Sequence, residues 1–221
     1  MQIEFTTIKS LRLGLKKGLL GEVYPPIRAV AYKYDESEKS VIIRSYLDRK
    51  PRQNDYDIAS LFSKKLDIKS KEECVFSDAP LSQLDPLDGL VYARKENEES
   101  KELYKSNFLE NITQDPNIDD ICVAIQIALL GCIYTDIRKI VFRFIKERKS
   151  ILIRYYFDRC PIYADVRNAT LVLDKTTQIF TKFKLEEKII ECSYSDAESS
   201  QLEFLSGIVY ARKEYDIDGL L

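Results

Sequence analysis

The chain has 221 residues, of which 45% are apolar, enough to bury the core of one large domain or of two domains of roughly 100 residues each. Lysine plus arginine against aspartate plus glutamate stands at 19 to 19 in residues 1–110 and at 15 to 17 in residues 111–221. Neither half carries the cationic excess that a nucleic-acid binder needs to displace counterions from phosphate. Histidine is absent, which removes the commonest general base near neutral pH and the commonest metal ligand.

In chain order, the first twenty residues mix charge with leucine and lack the apolar run and cleavage site of a signal peptide, so a cytoplasmic protein is expected. Their leucine spacing predicts a helix that ends at Gly21. Two runs of β propensity follow, IRAVAYKY and SVIIRSYLD, joined by the charged DESEK into a hairpin. After Pro51, Ile58, Leu61, Phe62 and Leu66 fall at helical spacing, with Asp55 and Asp57 near the helix start. EECVFSD and GLVYARKE supply two further strands, and residues 97–112 read as a charged connecting helix. The apolar stretch Ile121–Tyr134 comes next. Its 14 residues fall short of the roughly 20 that span a bilayer, and no membrane partner is expected. A helix apolar on all sides is buried on all sides, which places this one between two domains. Its counterpart in the first half keeps Arg12, Lys16 and Lys17 and is expected to have a solvated face.

The same order of elements then recurs. Leu19–Pro51 aligns without gaps on Leu129–Pro161 at an offset of 110, and Glu72–Glu96 aligns on Ile190–Glu214 at an offset of 118. The second copy therefore carries eight extra residues between Pro161 and Cys192. Two ungapped blocks in one order identify a tandem duplication. The expected fold is α+β, two αββαββ repeats over residues 1–112 and 113–221. Each is expected to form a four-stranded antiparallel sheet with helices packed on one face.

Chemistry-bearing motifs are few. The five cysteines form no CxxC spacing, so no metal site is expected, and Cys74 and Cys192, at equivalent positions, suit a core. No glycine-rich phosphate loop and no GxSxG elbow occurs, so no cofactor is expected. Strand alternation puts Arg44, Tyr46 and Asp48 on one face and Tyr92, Arg94 and Glu96 on one face. The second copy repeats this with Arg154, Tyr156, Asp158 and with Tyr210, Arg212, Glu214. Such faces suit a sheet braced by cross-strand pairs, or an interface. An arginine beside each acid holds it ionised and makes it a poor proton donor, so no catalytic residue is assigned and no enzyme is expected.

A strand ending in SYLDRKP or YYFDRCP, an acidic helix, and a final LDGLVYARKE or LSGIVYARKE together resemble small bacterial immunity proteins. Those proteins neutralise polymorphic toxins, including contact-dependent growth inhibition toxins. The resemblance covers most of each copy. It implies a non-catalytic protein that binds a toxin domain in the cytoplasm and covers its active site. It also implies a monomer holding an internal pseudo-dimer. Tyr46, Asp48, Arg94 and Glu96, with Tyr156, Asp158, Arg212 and Glu214, match the recurring pattern and imply the family's fold. Partner choice is expected where the copies differ, in the hairpin loops 35–40 and 145–150 and in residues 162–189. Asp35, Glu36, Glu38, Asp55, Asp57 and Asp165 are the expected contacts if the toxin is a basic nuclease. The competing reading is a structural or regulatory protein-interaction module with no toxin partner.

Overall fold

A computed structural model describes residues 8–66, 68–96, 115–180 and 183–214. The connecting helix expected over 97–112, and the boundary at residue 112, lie outside the described residues. The first repeat comprises α1 (Ile8–Leu19), β1 (Ile27–Asp35), β2 (Ser40–Leu47), α2 (Gln53–Lys64), β3 (Lys69–Phe76) and β4 (Gly89–Ala93). The second comprises α3 (Ile118–Leu129), β5 (Ile137–Ile145), β6 (Ser150–Phe157), α4 (Tyr163–Ile179), β7 (Glu187–Tyr194) and β8 (Gly207–Ala211). The fold is therefore α+β in two αββαββ repeats. Their sheets have the strand orders β3-β2-β1-β4 and β7-β6-β5-β8.

The sheets are mixed, and this corrects the expectation of all-antiparallel pairing. β1 pairs antiparallel with β2 and β4, whereas β2 and β3 run parallel, as do β6 and β7. The cause is the intervening helix. α2 carries the chain back along the sheet, so β3 starts from the same end as β2, as a crossover connection requires. From β3 at one edge the chain must then cross to β4 at the other. It does so over the face that the helices leave uncovered.

Each sheet is thus covered on both sides. On the helix side, Val41, Ile43 and Leu47 of β2 pack with Leu11, Leu15 and Leu19 of α1 and with Ile58 and Ala59 of α2. Burying each such aliphatic side chain stabilises the fold by about 1.5–3 kcal/mol. On the other side, Leu81 and Leu84 of the crossing segment lie on Ala29, Ala31, Tyr46 and Ala93. Alanine at three of these positions leaves room for the crossing chain to lie against the sheet. The glycine that opens β4 or β8 has a steric reason: a Cβ at Gly207 would stand 2.8 Å from the Phe142 ring, and one at Gly89 would stand 3.3 Å from the Tyr32 ring.

The two repeats meet through matched contacts. Gly21 and Gly131, each following a helix, have φ of +77° and +65°, a region open to glycine at little cost. The Gly21 N–H donates to the Ala211 carbonyl and the Gly131 N–H to the Ala93 carbonyl. Lys95 likewise donates to Ile133, and Lys213 to Val23. Each of these backbone bonds has its equivalent in the other direction. α3 lies at this junction: its residues from Asp120 to Leu129 are all buried, and it packs on α4, β5 and β8 of its own repeat and on α1 and β4 of the first. α1 departs from expectation. Lys17 is exposed, but Arg12 and Lys16 are buried: Arg12 lies on the Tyr32 ring and donates to the Leu90 carbonyl, and Lys16 faces the junction.

Candidate functional site

The residues that the two repeats share assemble four constellations, each present twice. At the start of α2, Asp55 is 2% exposed and its carboxylate accepts from the Tyr24 hydroxyl, from Arg49 Nη1 and Nη2 at 2.7 and 2.8 Å, and from the Arg52 N–H at 2.6 Å. At the start of α4, Asp165 is 3% exposed and accepts from the Tyr134 hydroxyl, from Arg159 at 2.7 and 3.1 Å, and from the Ile162 N–H at 2.7 Å. Burial alone would raise the Asp165 carboxyl. The Arg159 guanidinium, the Ile162 N–H and the Tyr134 hydroxyl outweigh it and hold the carboxyl down at about 2. Asp55 is lowered by the same balance, with burial opposing Arg49, Tyr24 and the Arg52 N–H. Burial and the bond to the carboxylate push both tyrosine hydroxyls up. These two acids, named above as expected partner contacts, are buried and pin the chain between strand and helix.

The other constellations brace the sheets. Arg28 donates to both oxygens of Glu96 and to the Ser77 carbonyl, and Arg138 donates twice to Glu214 Oε1 and once to the Ser195 carbonyl. Arg94 donates to Asp48 at 3.0 Å, as Arg212 does to Asp158. Arg44 reaches Glu73 at 2.8 Å, Asp85 at 3.1 Å and the Tyr46 hydroxyl, and Arg154 reaches Glu191, Glu203 and Tyr156. Tyr46 and Tyr156 are buried beneath the crossing segments. Tyr92 and Tyr210 are buried in the core. The register shifts between Val30 and Ala31, and between Ile140 and Val141. A bulge of this kind lets two successive residues face one side, so Val91 and Tyr92 both enter the helix-side core. Alternation from the sequence did not reveal Tyr24, Arg28, Arg49 and their equivalents. Their retention at a constant offset was the available signal.

The surfaces where the repeats differ are exposed. In the first hairpin loop, Asp35 accepts from the backbone and hydroxyl of Ser37 and from the Glu38 N–H, which shapes the turn and lowers its carboxyl, led by the Ser37 hydroxyl. Glu36 and Glu38 point outward beside it, and Glu38 pairs with Lys69 at 3.3 Å. The second hairpin loop, IKERK, inverts this charge, and its Lys146 meets Asp115 at 2.7 Å. Asp57 is exposed on α2 and accepts from Gln53. At the start of α4, Ile162 and Val166 are exposed and Tyr163 is 83% exposed. The first repeat has Arg52, Gln53 and Tyr56 at those positions. Apolar side chains on a helix end, one of them tyrosine, are the composition that interfaces favour.

A comparison with protein families decides what kind of protein carries these surfaces: the MafI2 immunity protein model matches the chain twice, over residues 8–96 and 118–214. The chain belongs to the MafI2 immunity protein family. No curated protein matches it. The two matched segments coincide with the two repeats, so each repeat matches the MafI2 model by itself. As in the resemblance drawn from the sequence, membership implies a toxin partner. Among the described residues no helix is long and apolar enough to cross a membrane.

Proposed function

We propose that this MafI2-family chain binds a cognate toxin domain in the cytoplasm and covers its active site, performing no chemistry itself. Its two repeats act as a covalent pseudo-dimer. The observation that carries this reading is the double match to an immunity family. The structure supports a division of labour within it. The Tyr, Arg and carboxylate residues that the repeats share pair with one another and maintain the fold, while the residues that differ are free to contact a partner.

Two surfaces are the proposed contacts. The acidic loop Asp35, Glu36 and Glu38, with Asp57, suits a basic nuclease toxin, since opposite charge steers encounter and raises the association rate. Tyr163 with Ile162 and Val166 offers the aromatic and aliphatic anchor typical of a hot spot. The test is co-expression with the toxin domain encoded beside this chain, followed by affinity measurement on the purified pair. Rescue of growth with tight binding is expected, and Tyr163→Ala is expected to weaken binding by tenfold or more, about 1.4 kcal/mol. A toxin domain that kills equally with and without this chain would overturn the reading.

A further inference from the structure

The junction between the repeats holds a partly open cavity of about 30 Å³. Its lining comes in equivalent pairs from both repeats: Leu19 with Leu129, Val91 with Val209, Tyr92 with Tyr210, and Lys16 with Gln126. All but the last pair match closely. Lys16 and Gln126 are each 4% exposed, and among the described residues neither the Lys16 Nζ nor the Gln126 Nε2 and Oε1 has a hydrogen-bond partner.

This is an unusual place for a cation. A buried ammonium is costly unless paired with an opposite charge, and among the described residues none of those lining the cavity carries a carboxylate. The groups that act electrostatically on Lys16 are the Arg12 guanidinium, a second cation, and the Cys122 thiol. Burial pushes Lys16 far down, and Arg12 pushes it further. Burial also pushes Tyr92 and Tyr210 up, so both phenols stay neutral. The cavity wall therefore offers amine, amide and phenol groups and no fixed negative charge.

We propose that this cavity is a binding site for one small monovalent anion of chloride size, which enters together with the proton that returns Lys16 to its ammonium form and is held between that ammonium and the Gln126 amide. Space of about 30 Å³ exceeds what one water needs, about 10–15 Å³. The bound anion supplies the missing counter-charge to Lys16, and because it touches both repeats it ties them together.

The test follows melting of the full chain at fixed ionic strength while chloride replaces gluconate, an anion too large for the cavity. Bromide-grown crystals are examined in parallel for anomalous scattering. Wild type is expected to melt higher as chloride rises, with saturation. At tenfold over the dissociation constant the folding equilibrium should shift about elevenfold, raising Tm by about 3–6 °C for a chain of this size. A bromide peak should lie between Lys16 and Gln126. Lys16→Met, which keeps the shape without the charge, should fold and lose the response, and Gln126→Leu should weaken it. Identical melting in the two salts would overturn the proposal. So would a chloride response that survives in Lys16→Met, or a cavity that shows water and no anomalous peak.

Discussion

Replacing Asp165 by asparagine removes a single negative charge from the constellation at the start of α4. The carboxyl has an ordinary value of 3.8 and stands at about 2 in the fold. At about 1.4 kcal/mol per factor of ten, its ionised form favours folding by about 2 kcal/mol near neutral pH. The sign follows from the lowered value: the contribution is fully present above the unfolded value and is lost as pH falls through the folded one. The substitution would also leave Arg159, Tyr134 and the Ile162 N–H sharing one amide oxygen in place of two carboxylate oxygens. Under-satisfied buried donors add to the loss, and the whole cost at about pH 7 is expected at about 2–4 kcal/mol. Urea unfolding followed by circular dichroism measures it, for wild type and Asp165→Asn, at about pH 7 and pH 3. The gap between the two proteins should narrow by about 1 kcal/mol at the lower pH, because the pH has by then fallen below the unfolded-state value and towards the folded one. A gap below about 0.5 kcal/mol near neutrality, or one indifferent to pH, would refute the assignment of Asp165 to the fold.

Three further outcomes are expected. Gly207→Ala places a Cβ 2.8 Å from the buried Phe142 ring and should cost about 1–3 kcal/mol. Gly89→Ala, at 3.3 Å from Tyr32, should cost less, and equal urea midpoints for the two variants would contradict the packing argument. Burial pushes the thiols of Cys74, Cys122 and Cys192 up to about 11, while Cys160 is exposed. A thiol reagent at about pH 8 should therefore modify one cysteine rapidly in the native protein, with Cys160 identified by peptide mass, and several fast thiols would oppose this. A protease site introduced between Glu96 and Asp115 should yield, after cleavage, two halves that co-elute in gel filtration, held by the reciprocal backbone bonds and α3. Separation of the halves would show that those contacts do not suffice.

The repeat, the order of its elements and the buried third helix were all legible, because identity at a fixed offset and apolarity around a whole helix are local signals. Three features were not. The direction of β3 depends on which end of the sheet α2 delivers the chain to, and strand propensity is the same in either direction. Val91 and Tyr92 read as facing opposite ways until the bulge beside Val30 is seen, since alternation assumes unbroken register. Arg12 and Lys16 read as a solvated stripe because what covers them is distant in sequence, Tyr32 and Leu90 for Arg12 and the other repeat for Lys16. The burial of Asp55 and Asp165 was hidden for a related reason: an acid near a helix start is usually solvated, and Tyr24 or Tyr134, which help enclose it, come from the distant loop before β1 or β5.

The reciprocal junction has one more consequence. In a dimer of identical chains, any residue on the symmetry axis meets its own copy, so a lysine there would face a lysine and repulsion would exclude it. Joining the two units in one polypeptide removes that constraint, and Lys16 stands opposite Gln126. Each half answers only to its neighbour, never to itself. The central contact can therefore change one side at a time, and a lineage carrying the fused form can explore axial chemistry closed to separate, self-pairing units.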